Sequence, residues 1–190
     1  VRGKILNCLK ADYDKIFKNE IITDLIKVIG CGVEVKTGKN KEISMFNLDN
    51  LRWNKIVICT DADVDGFHIR TLILTMLYRL VPTLIEKGYV YIAESPLFEI
   101  TTSDKTYFAY DENEKTKILK MIGNKKFDIQ RSKGLGENEA EMMSLTTMDP
   151  ATRRLIKIEP DDIEQTQWMF DMLLLSLIHI SEPTRHLRIS

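Results

Sequence analysis

Apolar residues recur at intervals of three and four over residues 11–29, a spacing that predicts an amphipathic helix. Gly30 and Gly32 follow the last of these apolar positions, and glycines at that place are typical of a helix end. The segment before the helix, residues 4–7, predicts a short strand. The polar segment 36–42 carries charges of both signs and predicts a surface loop.

The next segments follow a strand–helix–strand pattern. Residues 55–60 are mostly β-branched and apolar on both faces, which predicts a central strand of a covered parallel sheet. Residues 67–87 are apolar on most sides of a helix, so this helix should pack between layers, and Pro82 should bend or interrupt it. Residues 89–93 predict a second strand. The first half of the chain therefore predicts an α/β fold.

The second half has the pattern of a smaller α+β unit. It predicts a hairpin at 97–101 and 106–110, a helix at 111–121, a strand at 127–130, a loop at 131–137 and helical segments to about residue 173. We therefore expect one domain over residues 1–96, a second over 97–173 and a separate tail over 174–190.

Composition adds limits on the class of protein. The chain has 190 residues and a formal net charge of -1, so any contact with DNA must come from a local patch. Cys8, Cys31 and Cys59 are widely spaced and form no metal-binding or redox pair, which predicts reduced thiols. The sequence shows no signal-peptide pattern, and its apolar run at 172–180 is too short to cross a bilayer. We expect a soluble, cytoplasmic protein.

Three carboxylates follow the strand at 55–60 on alternate residues: Asp61, Asp63 and Asp65. A calcium loop of the EF-hand type is excluded, because Leu72 stands where a bidentate glutamate is needed and a strand precedes the loop. One interpretation is structural, with Asp65 capping the helix and the other two solvated in a turn. The other is a divalent-metal site, which the position at the C-terminal end of a parallel strand favours. Asp61 is the first candidate ligand.

Several ordered motifs carry a resemblance to a known family. They are Arg-Gly-Lys-Ile-Leu-Asn at 2–7, Asp-Ala-Asp-Val-Asp-Gly at 61–66, His-Ile-Arg-Thr at 68–71 and Lys-Gly-Leu-Gly-Glu at 133–137. Residues 1–173 resemble the B subunits of bacterial type IIA DNA topoisomerases, the family that includes DNA gyrase and topoisomerase IV. The resemblance implies a toprim domain, a Rossmann-like parallel sheet flanked by helices, followed by a small α+β tail region that docks the A subunit.

The resemblance also implies a function and its parts. Asp61 and Asp63 would hold Mg²⁺ beside the scissile phosphate, with Asp65 as a neighbouring or alternate ligand. Double-stranded DNA would be the substrate, and the A subunit of an A2B2 heterotetramer would supply the cleavage tyrosine. The family's catalytic glutamate, in a Glu-Gly-Asp-Ser-Ala motif, and its ATPase region both lie upstream of the segment that begins at Val1. We therefore expect no complete catalytic set, no DNA cleavage and no ATP binding from these residues alone.

Three cations are candidate DNA contacts. Lys4 matches a family lysine near the DNA gate, with an ordinary solvated lysine as the alternative. Lys133 precedes a glycine, which lets the backbone approach an anionic partner closely. Arg70 lies early in the helix after the acidic loop, where it could reach a phosphate or pair with an aspartate of the loop.

Two alternatives to a topoisomerase remain open. One is a toprim nuclease or primase relative, against which the motif at 133–137 argues, and the other is a non-catalytic assembly module. Residues 174–190 do not continue the family pattern, and we expect no evolved function from them.

Overall fold

A computed structural model describes residues 1, 3–35, 45–131, 134–137 and 139–159, excluding the side chain of Glu137. Residues 1–158 form one compact unit, and a second unit spans 159–190, of which only Glu159 is described. The helices are α1 (Tyr13–Lys18), α2 (Glu20–Ile29), α3 (Val64–Leu80), α4 (Pro82–Glu86), α5 (Glu112–Ile122) and α6 (Ala140–Met143). The strands are β1 (Ile56–Ile58), β2 (Val90–Ala93), β3 (Phe98–Thr102), β4 (Thr106–Ala109), β5 (Phe127–Arg131) and β6 (Leu155–Lys157).

The main sheet has the order β1-β2-β6. Ile56 pairs with Val90 in a parallel register, which confirms the α/β fold class, and β6 is antiparallel to β2. The sequence placed β1 at the centre of the sheet, but among the described strands β2 is central and β1 is an edge. It also missed β6, because the short segment 155–157 lies in polar surroundings and pairs with a strand far away in the chain.

The first predicted helix is two helices. Asn19 adopts an extended conformation between α1 and α2, and its side chain accepts a hydrogen bond from the backbone N–H of Ile22, 3.2 Å away. An asparagine that caps a helix start in this way ends the preceding helix, so the single helix predicted over 11–29 is wrong. The predicted helix end is confirmed, because Gly30 adopts the left-handed conformation with φ of 94°.

Helix α3 supplies much of the core. Four of its apolar side chains are buried: Leu72, Met76, Leu77 and Leu80. Burial of each contributes about 1.5–3 kcal/mol of hydrophobic free energy. The predicted interruption at Pro82 is confirmed, because α3 ends at Leu80 and Pro82 is the first residue of α4.

The second sheet has the order β4-β3-β5 and is antiparallel throughout, which confirms the hairpin and the strand near 127–130. Helix α5 begins after Asp111, whose side chain accepts a hydrogen bond from the backbone N–H of Glu114 at 2.6 Å. Arg154, just before β6, lies 2.7 Å from the carboxylate of Glu114, and its guanidinium stacks on the ring of Tyr110. The residues before β6 are thereby attached to the small sheet and its helix.

Some other predictions from the sequence are wrong or stay untested. Residues 4–7 form no strand with any described residue, although Ile5 is buried, and the chain turns at 8–10. The predicted loop at 36–42 and everything from 160 onward, including the tail at 174–190, lie outside the described residues. The three-part domain division therefore stays a prediction. In the described part of the chain, no helix is both long and apolar enough to span a membrane.

Candidate metal centre at the acidic loop

The acidic loop connects the end of β1 to the start of α3. Asp63 is the N-cap of α3, and its Oδ1 accepts a hydrogen bond from the backbone N–H of Gly66 at 2.7 Å. Gly66 lies so close to the loop that an added Cβ would stand 2.0 Å from the carbonyl oxygen of Asp61. The tight turn therefore needs glycine here, which explains the glycine of the Asp-Ala-Asp-Val-Asp-Gly motif. The capping residue is Asp63, whereas the structural interpretation of the sequence had assigned the cap to Asp65.

Asp61 is half-buried and contacts a distant loop. Its Oδ1 accepts a hydrogen bond from the backbone N–H of Leu135 at 2.8 Å. A Cβ added to Gly134 would lie 3.6 Å from the Oδ2 of Asp61, so the absence of a side chain there leaves space beside this oxygen. The loop at 134–136 thus lies against the acidic loop. The occurrence of both motifs in one family suggests such a contact, but their spacing in the sequence does not show it.

Asp65 lies on the exposed side of the loop. Its carboxylate is 3.0 Å from the ammonium group of Lys4, and both side chains are largely open to solvent. An ion pair this exposed contributes about 0–1 kcal/mol, so either partner can exchange it for another charged group at little cost. The structure therefore pairs one candidate metal ligand with one candidate DNA contact.

The three aspartate side chains do not form a complete metal-binding site by themselves. In the described part of the chain, no three histidine, cysteine, aspartate or glutamate side chains lie close enough to hold an ion by themselves. One oxygen of Asp61 and one of Asp63 are engaged by backbone amides. Mg²⁺ prefers oxygen ligands, usually retains several waters and takes only one or two carboxylates from a protein. The oxygens left to Asp61 and Asp63, with the space beside Gly134, fit that requirement.

Arg70 points toward the strand ends. Its Nη2 donates a hydrogen bond to the hydroxyl of Thr60 at 3.3 Å, and its guanidinium lies over the ring of Phe67, 4.9 Å from the ring centre. Its buried Nε has no hydrogen-bond partner among the described residues. Burial lowers the pKa of Arg70, although nearby Cys59 and Glu94 oppose the shift. All three aspartates of the loop are described, and Arg70 forms no ion pair with any of them.

The remaining candidates are placed as follows. Lys133 lies outside the described residues. Cys59 lies at the end of β1, where burial raises the pKa of its thiol. Cys8 and Cys31 are buried free thiols, as the sequence predicted. A raised thiol pKa disfavours the thiolate form of Cys59.

A cavity of about 500 Å³ borders the acidic loop. It runs along β1 between α2 and α3, and its lining is mostly apolar, including Ile56, Ile69 and Trp53. Asp61 and Leu135 bound its polar end. The acidic loop therefore has a mostly apolar surface on one side.

Comparison with known proteins agrees with this architecture. The family model for the Toprim domain matches residues 1–95, and the model for the carboxyl terminus of the DNA gyrase B subunit matches residues 124–179. Asp61 lies in the part of the chain that the first model matches and Leu135 in the part that the second model matches, so their hydrogen bond joins the two matched regions.

Known relatives extend the comparison over most of the chain. The DNA gyrase B subunit of Thermotoga maritima is 41% identical over 92% of this chain, and that of Mycoplasmoides gallisepticum is 43% identical over 92%. The relative from Thermus thermophilus is 42% identical, again over 92% of this chain. The chain spans about a quarter of the length of these proteins, between 26% and 27%. The resemblance drawn from the sequence motifs is confirmed: the chain belongs to the Toprim family, and these relatives are DNA gyrase B subunits.

Proposed function

We propose that this chain is the magnesium-holding part of an ATP-dependent type II topoisomerase, which cleaves and reseals double-stranded DNA during strand passage. The observation that carries the proposal is the position of Asp61. It follows β1 at the C-terminal end of a parallel strand pair, where ligands bind in open α/β sheets, and the loop at 134–136 fixes its orientation. A side chain that served only the turn would not need a backbone donor from a remote loop.

The residues that would hold Mg²⁺ are Asp61 and Asp63, with Asp65 as a neighbouring or alternate ligand. Magnesium supplies charge neutralisation for the oxygens that attack and leave during phosphoryl transfer. The chain's own part is to hold these carboxylates at fixed positions. The Leu135 amide orients Asp61, and the helix-capping hydrogen bond orients Asp63. Oriented ligands reduce the reorganisation needed when the reacting groups arrive.

Three cations would contact the DNA backbone. Lys4 is exposed and can exchange its weak pairing with Asp65 for a phosphate. Arg70 forms no ion pair with an aspartate of the loop, and its guanidinium is held by Thr60 and Phe67. Lys133 directly precedes Gly134, which lies beside Asp61. Contacts of this kind position a duplex without reading its sequence.

The partners follow from the relatives, which are named as the B subunits of DNA gyrase. We propose that the A subunit supplies the cleavage tyrosine, that residues 97–173 take part in docking it, and that the assembly is an A2B2 heterotetramer in the cytoplasm. The match to the gyrase B carboxyl terminus supports this assignment over a nuclease or primase relative of the toprim group.

A second candidate is an assembly module that binds no metal. Its support is that Asp63 already caps a helix and Asp65 already pairs with Lys4. A module of this kind would keep the acidic loop for structural reasons only.

Metal titration separates the two candidates. We expect Mg²⁺, added to the ¹⁵N-labelled 190-residue chain, to shift backbone amide resonances in the acidic loop. Asp61→Asn keeps an oxygen for the Leu135 hydrogen bond but removes the charge, and should weaken binding by about tenfold or more. Asp111→Asn is the control, because it removes one aspartate charge from the chain as Asp61→Asn does, but at the start of a different helix, α5.

Binding of Mg²⁺ that is equally strong in Asp61→Asn and in the parent chain, or no shift in the parent at tens of millimolar Mg²⁺, would exclude the metal site and favour the assembly module. Equal weakening in Asp111→Asn would show that the effect is nonspecific charge screening.

A further inference from the structure

The hydrogen bond between Leu135 and Asp61 divides the two oxygens of one carboxylate. Oδ1 accepts the backbone N–H of Leu135 at 2.8 Å. Within the described residues no hydrogen-bond donor reaches Oδ2, and the missing side chain at Gly134 leaves room beside it. One oxygen is therefore engaged by a backbone amide, and the other meets no hydrogen-bond donor among the residues that the structure describes.

This division bears on which cation the carboxylate can hold. A hydrogen bond to an ionised acceptor is stronger than one to a neutral acceptor. A cation that binds both oxygens of the same carboxylate must share Oδ1 with the Leu135 N–H and weakens that oxygen as an acceptor, whereas a cation that binds only Oδ2 leaves the hydrogen bond in place. Ca²⁺ takes six to eight ligands and commonly binds a carboxylate through both oxygens, while Mg²⁺ requires near-octahedral geometry and retains water.

We propose that the backbone N–H of Leu135 is a specificity-determining positioning group, which restricts Asp61 to single-oxygen coordination and thereby favours Mg²⁺ over Ca²⁺. The inference rests on the proposed function, since it requires a cation at Asp61. It assigns a role to a backbone atom outside the acidic loop, in a segment separated from Asp61 by more than seventy residues of sequence. Leu135 acts through Asp61 and touches no reacting group.

The test removes the donor while keeping the loop. Leu135→Pro lacks the N–H, and Leu135→Ala retains the N–H while also removing the leucine side chain beyond Cβ. Dissociation constants for Mg²⁺ and for Ca²⁺ are measured separately on the full chain from the shifts of acidic-loop amides. We expect the preference for Mg²⁺ over Ca²⁺ to fall by about fivefold or more in Leu135→Pro, as expected from loss of about 1 kcal/mol of discrimination. Leu135→Ala should keep the parent ratio within about twofold, because its hydrogen bond is unchanged.

A second measurement needs no proline. In the parent chain, the Leu135 amide proton should keep its hydrogen-bonded chemical shift at saturating Mg²⁺ and should move upfield at saturating Ca²⁺, because a cation bound to Oδ1 weakens that oxygen as an acceptor. An amide shift that responds identically to both ions overturns the inference, and so does a Leu135→Pro ratio equal to that of the parent.

The two proposals fail in distinguishable ways. If Asp61→Asn loses Mg²⁺ binding while the Leu135 variants and the Leu135 amide show no ion preference, the metal site stands and the role of Leu135 falls. If Asp61→Asn binds Mg²⁺ as well as the parent does, both fall together.

Discussion

Replacing Gly66 with alanine should break the turn between β1 and α3. An added Cβ would lie 2.0 Å from the carbonyl oxygen and 2.8 Å from the carbonyl carbon of Asp61. These are backbone atoms, so no side-chain rotation can relieve the overlap, and the loop or the first turn of α3 must move by about 1 Å to restore van der Waals contact.

Two opposed contributions decide whether Gly66→Ala raises or lowers the free energy of unfolding. Alanine is favoured over glycine within a helix by about 1 kcal/mol, and Gly66 has no positive φ that would penalise the change. Forcing a methyl group into a filled space costs about 1–3 kcal/mol when side chains can yield, and more when only backbone can move. We therefore expect a net loss of about 2–3 kcal/mol in the free energy of unfolding.

Urea denaturation followed by circular dichroism measures this loss. Gly136→Ala is the matched control, because no atom lies within 4 Å of its added Cβ and its φ is not positive. The control should change stability by less than about 0.5 kcal/mol. A Gly66→Ala chain as stable as the parent would refute the argument that close approach to Asp61 dictates glycine at this position. A loss of equal size in the control would refute it too, because the overlap at Gly66 would then not be the cause.

Two further predictions concern pH. Hydrogen bonding from Arg154 holds the pKa of Glu114 below its usual range, so this interaction stabilises the fold above the usual pKa and is lost as pH falls through the lowered value. Glu114→Gln should lower the free energy of unfolding by about 1 kcal/mol or less at pH 7, because the pair with Arg154 is partly exposed, and should have no such effect near pH 2. Urea titrations at both pH values measure this, and an equal loss at pH 7 and pH 2 would contradict the prediction. Burial raises the pKa of Cys8 to about 11, so the fold should lose stability as pH rises from about 9 toward that value. Cys8→Ala should flatten that alkaline decline, and an unchanged slope of unfolding free energy against pH would show that other groups cause it.

The parts of the fold predicted correctly from sequence are those with local signals. The apolar run at 55–60 identified β1, and Pro82 marked the boundary between α3 and α4 because proline lacks the N–H that a helix interior needs. The split at Asn19 was missed because the apolar periodicity continues through it, while the deciding hydrogen bond belongs to a single side chain. Strand β6 was missed because its pairing with β2 is a long-range property that three residues cannot encode by themselves.

The candidate site likewise has some features that the sequence predicted and others that it could not predict. The aspartates were visible as a motif, since carboxylates at a strand end are a chemical signal that residue types carry. The backbone N–H that orients Asp61 was not visible in the sequence, because almost every residue has such a group and its direction depends on the tertiary fold. Lys133 and Gly134 drew attention to the right loop, but for its positive charge and the close backbone approach that glycine allows, not for Leu135. The inward direction of Arg70 likewise follows from burial near Thr60, which no motif specifies.

The position of β6 affects any attempt to divide this protein for study. The chain leaves the main sheet after β2, builds the whole antiparallel sheet, and only then returns to add its third strand beside β2. An expression clone that stopped near residue 96 would carry the aspartates but would leave one side of β2 with bare amide and carbonyl groups. Such groups recruit strands from neighbouring molecules. Precipitation of that shorter product would thus report a missing strand, and would say nothing about the chemistry of the loop.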